Sequence, residues 1–142
     1  MVTLGQLLND KGHDVYAITA DAPVIDAVRA MAEKHIGALV VMDGTKLVGI
    51  ISERDYARKC VLMGRSSADT PVRDIMSSPV VTITPQESVE AAMRVMTDRR
   101  IRHLPVLGSG KVMGVVSIGD LVKCVIEDQR HLIEDLQTYI RG

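Results

Sequence analysis

Apolar and polar positions follow one order of periods along the first half of the chain. A β-branched run is followed by apolar residues at intervals of three and four, then by two apolar runs around a tight turn, and then by a second helical pattern. β-Branched runs are typical of strands, and the three-four spacing is typical of an amphipathic helix. Asp43-Gly44 between the two apolar runs indicates a hairpin. The pattern predicts β-α-β-β-α elements at residues 15–19, 24–31, 38–42, 46–51 and 56–62.

The same order of periods returns in the second half. A shift of 65 positions, the distance from Asp55 to Asp120, superposes residues 15–55 on residues 80–120 without a gap. Sequence repeats of this length are typical of one structural unit used twice. The predicted fold class is α+β, with two β-α-β-β-α repeats packed about a pseudo-two-fold axis.

Three segments lie outside the repeats. Leu4, Leu7 and Leu8 before Gly12 predict a short N-terminal helix with a glycine stop. A connector rich in glycine, serine and proline joins the repeats and holds one predicted helical turn near residues 72–76. The predicted divisions are an N-terminal segment at 1–14, repeat one at 15–62, the connector at 63–79, repeat two at 80–126 and a C-terminal helical extension at 127–142.

The C-terminal extension continues an apolar seam beyond the second repeat. Its apolar residues keep the three-four spacing as far as Ile140, interrupted by Gln129. Such a seam either packs on its own domain or binds a second copy of the chain. Because little of the chain remains to cover it, the favoured prediction is a homodimer through the repeats and this helix.

Charge and composition narrow the possible partners. The 142 residues carry 17 basic and 18 acidic side chains, with a pI near 6.4 and without Phe or Trp. Near neutrality and few aromatic stacking groups disfavour nucleic acid as a partner. The apolar runs are shorter than the roughly 20 residues that span a bilayer, and no signal-peptide pattern is present. The expectation is a cytoplasmic protein without membrane contact.

The cysteines and histidines indicate no metal site. Cys60 and Cys124 occupy positions that the repeat does not equate, so buried free thiols are expected rather than a disulfide. The four histidines lack the spacing of metal ligands.

Each repeat ends in the signature Gly-apolar-apolar-Ser-x-x-Asp, at Gly49–Asp55 and Gly114–Asp120. One interpretation is a capping box at a strand-to-helix junction. The other is a nucleotide site, in which free N–H groups and the serine meet a phosphate and the carboxylate meets ribose hydroxyls. The second interpretation also explains the glycine, which weakens a strand unless another group approaches closely. Charge for a phosphate could come from Arg54, Arg58, Arg100, Arg102 and His103.

The paired signatures, together with the runs at 36–41, 76–84 and 100–106, resemble tandem CBS (cystathionine β-synthase) domains, and the likeness covers practically the whole chain. The resemblance implies a Bateman module of the kind found in small stand-alone bacterial proteins. Such modules bind adenosyl ligands, including AMP, ADP, ATP, NAD(H) and S-adenosylmethionine, and commonly pair into a disc.

The resemblance also implies two composite clefts, each with residues of both repeats. Aspartate would bind ribose, serine and threonine would lie near phosphate or ribose, and strand backbone would contact the adenine edge. The implied residues of one cleft are Thr19, Val24, Gly37, Ala38, Leu39, Ser117, Gly119 and Asp120. Those of the other are Ser52, Arg54, Asp55, Thr84, Val89, Arg102, His103 and Leu104.

No catalytic constellation accompanies the signatures, because neither serine is tied to a histidine or lysine base at a shared spacing. The expected function is therefore a regulatory adenine-nucleotide sensor without catalysis, acting on an effector that the sequence does not identify. The alternative is a structural adaptor whose clefts no longer bind a ligand.

Overall fold

The computed structural model describes residues 2–141, and the chain divides into two compact units. The first-repeat unit comprises residues 14–81 and 110–112. The second-repeat unit comprises the remaining described residues, including the N-terminal segment up to His13.

The first-repeat unit has the predicted order of elements. Strand β1 (Ala17–Ile18) pairs in parallel with β2 (Ala38–Asp43), and β2 pairs with β3 (Lys46–Ser52) in an antiparallel hairpin whose turn contains Gly44 at φ 60°. The helix after β3 begins as α-helix and continues as a π-helix over Tyr56–Val61. The elements are β1 (Ala17–Ile18), α2 (Val24–Lys34), β2 (Ala38–Asp43), β3 (Lys46–Ser52) and α3 (Glu53–Asp55).

The second repeat has the equivalent elements, and its unit holds one further helix, whereas residues 110–112 of its hairpin are grouped with the first-repeat unit. Its hairpin turns through Ser109 and Gly110, at φ 53° and 75°, the left-handed geometry of a tight two-residue turn. The elements are α1 (Leu4–Lys11), α4 (Val89–Arg99), β4 (His103–Gly108), β5 (Lys111–Ser117) and α5 (Ile118–Arg141). The α+β class, the two repeats and the long C-terminal helix are thereby confirmed.

The strand predicted at residues 80–84 is reduced to one bridge, between Ile83 and Val106. In the first repeat, the backbone N–H of Val40 donates to the carbonyl of Tyr16. This hydrogen bond belongs to the pairing of β1 with β2. The residue equivalent to Val40 is Pro105, which has no N–H to donate. One residue difference therefore shortens the strand.

The segment before each repeat packs on the other repeat. The connector pairs with β3, where Ser77 and Ile50 exchange two backbone hydrogen bonds and the Ser78 hydroxyl donates to the Val48 carbonyl. In the second-repeat unit, a ring nitrogen of His13 lies 3.1 Å from the carbonyl oxygen of Met113, the residue equivalent to Val48. The two preceding segments thus occupy matching places beside the two signatures.

An apolar core fixes the first-repeat unit. Its buried members come from α2, β2, β3, the π-helix and the short 3-10 helix of the connector, Val72–Asp74. They are Val24, Ala27, Met31, Leu39, Val41, Ile51, Cys60, Val72 and Ile75. This core holds β3 and the signature that follows it in place.

None of the helices within residues 2–141 combines the length and the apolar character needed to cross a membrane.

Candidate functional site

The first signature forms a capping box. The Ser52 hydroxyl oxygen accepts from the backbone N–H of Asp55 at 3.1 Å, and the Asp55 carboxylate accepts from the N–H of Ser52 at 3.0 Å. Two N–H groups at the helix start are satisfied by these reciprocal bonds. Capping is therefore a confirmed role of Ser52 and Asp55.

The second signature repeats this geometry. The Asp120 N–H donates to the Ser117 hydroxyl at 3.1 Å, and the Ser117 N–H donates to Asp120 Oδ2 at 2.8 Å. No hydrogen bond within residues 2–141 reaches Asp120 Oδ1. One carboxylate oxygen of Asp120 is therefore open to an outside donor.

The helix starts hold fewer free N–H groups than the phosphate hypothesis assumed. The first N–H of each helix donates to the strand opposite, from Glu53 to the Gly37 carbonyl at 3.0 Å and from Ile118 to the Arg102 carbonyl at 2.8 Å. The third N–H is held by the signature serine. For a ligand, this leaves the second N–H, on Arg54 in one unit and Gly119 in the other.

A lysine of the same helix pairs with the first carboxylate. Lys59 Nζ lies 3.2 Å from Asp55 Oδ1, and the Ser77 hydroxyl donates to the same oxygen at 3.5 Å. Asp55 Oδ2 already accepts from Ser52. Both oxygens of Asp55 are thus engaged, and its side chain is 14% exposed.

A lysine from the N-terminal helix pairs with the second carboxylate. Lys11 Nζ donates to Asp120 Oδ2 at 2.7 Å and to the Val115 carbonyl at 2.6 Å. Burial by itself raises the pKa of Asp120, but the Lys11 hydrogen bond and charge and the bonds from Ser117 together lower it below its ordinary value. Asp120 is therefore held as a carboxylate.

The Asp120 carboxylate faces a groove of about 540 Å³ within the second-repeat unit. Lys11, Asp120 and Lys123 line it together with acidic residues of α1 and α5. The Asp120 side chain is 26% exposed, so a solute in this groove can reach it.

The signature glycines are explained by packing within each unit. A Cβ at Gly49 would lie 2.5 Å from Met76 Sδ, and a Cβ at Gly114 would lie 2.6 Å from Leu8 Cδ2. The group that approaches each glycine closely therefore belongs to the preceding segment, so the glycines give no support to a ligand.

Several residues assigned by the resemblance are core residues. Val24, Leu39, Val89 and Leu104 are fully or almost fully buried. The backbone N–H of Val24 donates to Thr70, and that of Val89 donates to Val2. Their structural role is to start helices and fill cores, and their contact with a ligand stays a prediction.

Each unit carries one complete signature, and the polar candidates divide between the units. Thr19 and Thr84 are exposed at the ends of their strand segments, and Arg58 and Arg102 are exposed beside the helix starts. Arg54 and His103 are half-buried. The first-repeat unit holds Thr19, Val24, Gly37, Ala38, Leu39, Ser52, Arg54, Asp55 and Arg58. The second-repeat unit holds Thr84, Val89, Arg102, His103, Leu104, Ser117, Gly119 and Asp120.

The two cysteines differ in environment. Cys60 is buried in the first core, whereas Cys124 is only half-buried, which corrects the expectation of two buried thiols. Desolvation raises the pKa of Cys124, and the charges of Asp128, Glu127, Glu90 and Asp10 raise it further.

Across residues 2–141, no group of three His, Cys, Asp or Glu side chains is placed to hold a metal ion.

Three residues that contact the signature carboxylates, Lys11, Lys59 and Ser77, were not predicted from the sequence. Lys59 had a signal, because it lies four residues after Asp55 and such pairs meet on a helix. Lys11 had none, since 109 positions separate it from Asp120.

Comparison with known proteins agrees with this architecture. The CBS domain family matches residues 10–61 and 72–127. A CBS domain-containing protein of Arabidopsis thaliana, named CBSX3, mitochondrial, is 42% identical to this chain in an alignment of 149 positions. The alignment covers 99% of this chain and 72% of the relative. The solved structure of a protein with CBS domains from Burkholderia ambifaria has a TM-score of 0.86 at 50% identity, over 90% of this chain and 96% of that one.

A more distant structure shares the fold. The CBS domain pair of protein MJ0100, solved in complex with 5′-methylthioadenosine and S-adenosyl-L-methionine, has a TM-score of 0.80 at 22% identity, over 90% of this chain and 98% of that one. The family match covers both repeats and most of the chain. The chain therefore belongs to the CBS domain family, as a tandem pair of CBS domains.

Proposed function

We propose that this CBS pair is a regulatory module that binds an adenine nucleotide, AMP, ADP, ATP or NAD(H), and performs no chemistry on it. The observation that carries the proposal is the state of Asp120. It is half-buried, held as a carboxylate, and leaves Oδ1 without a donor in the described chain.

The chemistry of an adenosyl ligand suits this arrangement. A carboxylate oxygen accepts from the vicinal hydroxyls of a ribose, and the ammonium group of Lys11 can attract a phosphate. The N–H of Gly119 adds one donor at a helix start. The resemblance assigns further ligand contacts to residues of both repeats, and these contacts are part of the proposal.

The Asp55 signature offers fewer free acceptors and more positive charge than the Asp120 signature. A ribose hydroxyl at Asp55 would have to displace Lys59 or Ser77, because both oxygens are already engaged. Arg54 and Arg58 add positive charge on the same helix. We therefore expect this signature to bind adenosine more weakly and to favour ligands with more phosphate groups.

The fold itself is compatible with adenosyl ligands. The CBS pair of protein MJ0100 has the same fold and was solved with two adenosyl compounds. At 22% identity this likeness supports the fold and leaves the ligand of the present chain to experiment.

The test is isothermal titration of the purified protein with AMP, ADP, ATP, NAD, NADH and S-adenosylmethionine. Micromolar binding of an adenine nucleotide is expected. Asp55→Asn and Asp120→Asn are the matched variants, because asparagine keeps an oxygen that can accept the capping bond while it removes the charge. Thermal melts of both variants check that a loss of binding is not a loss of folding.

An absence of binding by all six compounds would overturn the proposal. The complete capping boxes at both signatures would then favour the alternative, a structural adaptor in which Ser-x-x-Asp serves only to start helices. In that case, partner binding would be almost unaffected by the two substitutions.

The proposal includes a homodimer, formed through the CBS modules and the C-terminal helix. Support comes from α5, which exposes large apolar side chains along its second half. The effector and the expected cytoplasmic location stay predictions, which co-purification and cell fractionation would check.

A further inference from the structure

In the last two thirds of α5, no residue is buried by the described part of the chain, residues 2–141. Every residue from Ile126 to Arg141 is exposed. Six large apolar side chains in this stretch are 45% to 85% exposed, namely Ile126, Leu132, Ile133, Leu136, Tyr139 and Ile140. Isolated helices of about this length are marginal in water, so the stretch needs a packing partner to persist.

The apolar residues form one continuous face. Val122, Gln129 and Leu136 recur every seven residues, and Leu132 and Tyr139 follow three positions later, at the second core position of a heptad. Ile126, Ile133 and Ile140 widen the face on one side. We call residues 122–140 of this face the α5 seam.

The two edges of the α5 seam carry opposite charges. Asp128 and Asp135, seven residues apart, follow the edge beside Leu132 and Tyr139. Lys123 and Arg130, also seven apart, follow the edge beside the isoleucines. A groove of about 460 Å³ along this edge is lined by apolar residues of α5, by the basic Lys123 and Arg130, and by the acidic Glu127.

From this pattern we infer that the α5 seam binds a second copy of the chain, with the two helices parallel and in register. The inference deepens the proposed homodimer and rests on it. When two identical helices pack in parallel, the acidic edge of one meets the basic edge of the other, whereas in antiparallel packing each edge meets its own kind. Only the parallel arrangement sets Asp128 and Asp135 against Lys123 and Arg130.

Gln129 supports the same orientation. It is the only polar residue at a core position of the seam between Val122 and Tyr139. In a parallel pair this position packs against itself, so the two amides can hydrogen-bond to each other. In an antiparallel pair it would face an apolar position, and its amide would lose that partner.

A lipid surface fits the helix less well. The polar side of α5 mixes acidic residues such as Glu127 and Glu134 with basic ones such as Arg130 and Arg141. Helices that lie on anionic membranes carry a mainly basic polar face.

The first experiment measures the mass of the full chain in solution by sedimentation velocity. A dimer is expected for the wild type, a monomer for Ile133→Glu, and a dimer for the matched control Thr138→Glu on the polar face. Both substituted residues are exposed, so neither change disturbs a core. Circular dichroism of Ile133→Glu checks that the variant is folded, and nucleotide titration checks that its ligand site is intact. Together they separate a lost interface from a lost fold or a lost ligand site.

The second experiment determines the orientation. Val122→Cys and Tyr139→Cys are made separately with Cys124→Ser and oxidised. Parallel helices predict that each single variant forms a disulfide-linked dimer with itself. Efficient linkage only in a mixture of the two would show antiparallel helices and overturn the inference.

The third experiment tests the charged edges. Asp128→Lys with Asp135→Lys, and Lys123→Glu with Arg130→Glu, should each dimerise several-fold more weakly than the wild type, and a mixture of the two should form heterodimers. A wild-type monomer at micromolar concentration overturns the inference and the proposed homodimer. A dimer that Ile133→Glu leaves intact overturns the α5 seam alone and assigns the contact to the modules.

Discussion

The two Ser-x-x-Asp signatures share a sequence pattern and a capping geometry, yet their carboxylates have different partners. Asp55 is paired with Lys59 from its own helix and with Ser77 from the connector, and both of its oxygens are engaged. Asp120 is paired with Lys11 from the N-terminal helix, and its Oδ1 is open. The residue equivalent to Lys59 is Cys124, and the residue equivalent to Lys11 is Met76. The lysine that pairs with each carboxylate therefore occupies a position at which the other repeat has no lysine.

The two repeats therefore share the capping hydrogen bonds but not the charged groups that pair with the signature carboxylates. The cap depends on residues three positions apart, which the repeat copies together. The counter-charge depends on which segment packs beside the signature, and the preceding segments differ in sequence. Two signatures that look alike in sequence are therefore expected to differ in affinity.

The largest expected effect concerns ligand binding. Asp120→Asn should weaken the binding of the adenine nucleotide by about ten- to a hundredfold, the value of one hydrogen bond to a charged group. Asp55→Asn should have a smaller effect, because the Asp55 oxygens are already engaged. Titration of both variants with one nucleotide makes the comparison. An equal loss in the two variants would contradict the assigned difference.

The next effect concerns the packed glycines. Gly114→Ala should destabilise the protein by about 1–3 kcal/mol, because the added methyl group meets Leu8, which is fully buried. Gly49→Ala should cost less, since the thioether of Met76 is flexible and half-buried. Urea unfolding measures both values.

A double variant identifies the cause. Leu8→Ala with Gly114→Ala should be more stable than the sum of the two single changes predicts, by roughly 1 kcal/mol, because the new methyl group enters the space that Leu8 leaves. Simple additivity would show that Leu8 is not the obstacle.

The next effect concerns the dependence of stability on pH at Asp120. The folded pKa of Asp120 is lowered, so its carboxylate stabilises the folded state above the unfolded pKa, near 3.8, and this stability is lost as the pH falls through the folded pKa. The free energy of unfolding of the wild type should therefore fall below about pH 4 more steeply than that of Asp120→Asn.

Lys11 is the cause to test. Lys11→Met should raise the pKa of Asp120, measured by NMR titration of its carboxyl group, because burial then acts without the ammonium charge. Lys59→Met is the matched control, since Lys59 pairs with Asp55 and is not among the groups that shift the pKa of Asp120.

At the helix ends the two repeats should behave alike. His35 and Arg100 are equivalent residues that end α2 and α4 in the left-handed region, at φ 54° and 55°. Glycine adopts this geometry without the cost of a Cβ, so His35→Gly and Arg100→Gly should each stabilise the protein by up to about 1 kcal/mol. Thermal unfolding measures the gain, and a difference of more than that between them would reveal an additional side-chain role.

The sequence predicted most of the local structure, because local structure depends on neighbours in the chain. The three-four spacing placed α2 and α4, and Asp43-Gly44 placed the first hairpin. The Ser-x-x-Asp pattern allowed a capping box at both signatures, and the structure confirms it. The length of the first strand of repeat two was overestimated. Pro105 lies on the neighbouring strand and has no N–H to donate, and the pattern of residues 80–84 carries no information about that neighbour.

The close approach to Gly49 and Gly114 shows where sequence analysis reached its limit. A glycine inside a strand indicates that some group comes close, and the sequence offered a ligand as that group. The structure shows Met76 and Leu8 there instead. Which group approaches depends on the packing of a distant segment, and spacing along the chain carries no information about it.

By itself, the sequence determined that this protein is a tandem repeat of β-α-β-β-α units with a capped helix after each hairpin and an apolar seam on its last helix. Only the tertiary structure decided that each preceding segment packs on the other repeat, that Lys11 pairs with Asp120, and that the α5 seam stays exposed. The reason is physical: helix periods and caps arise from residues a few positions apart, whereas an ion pair across 109 positions exists only after the chain has folded.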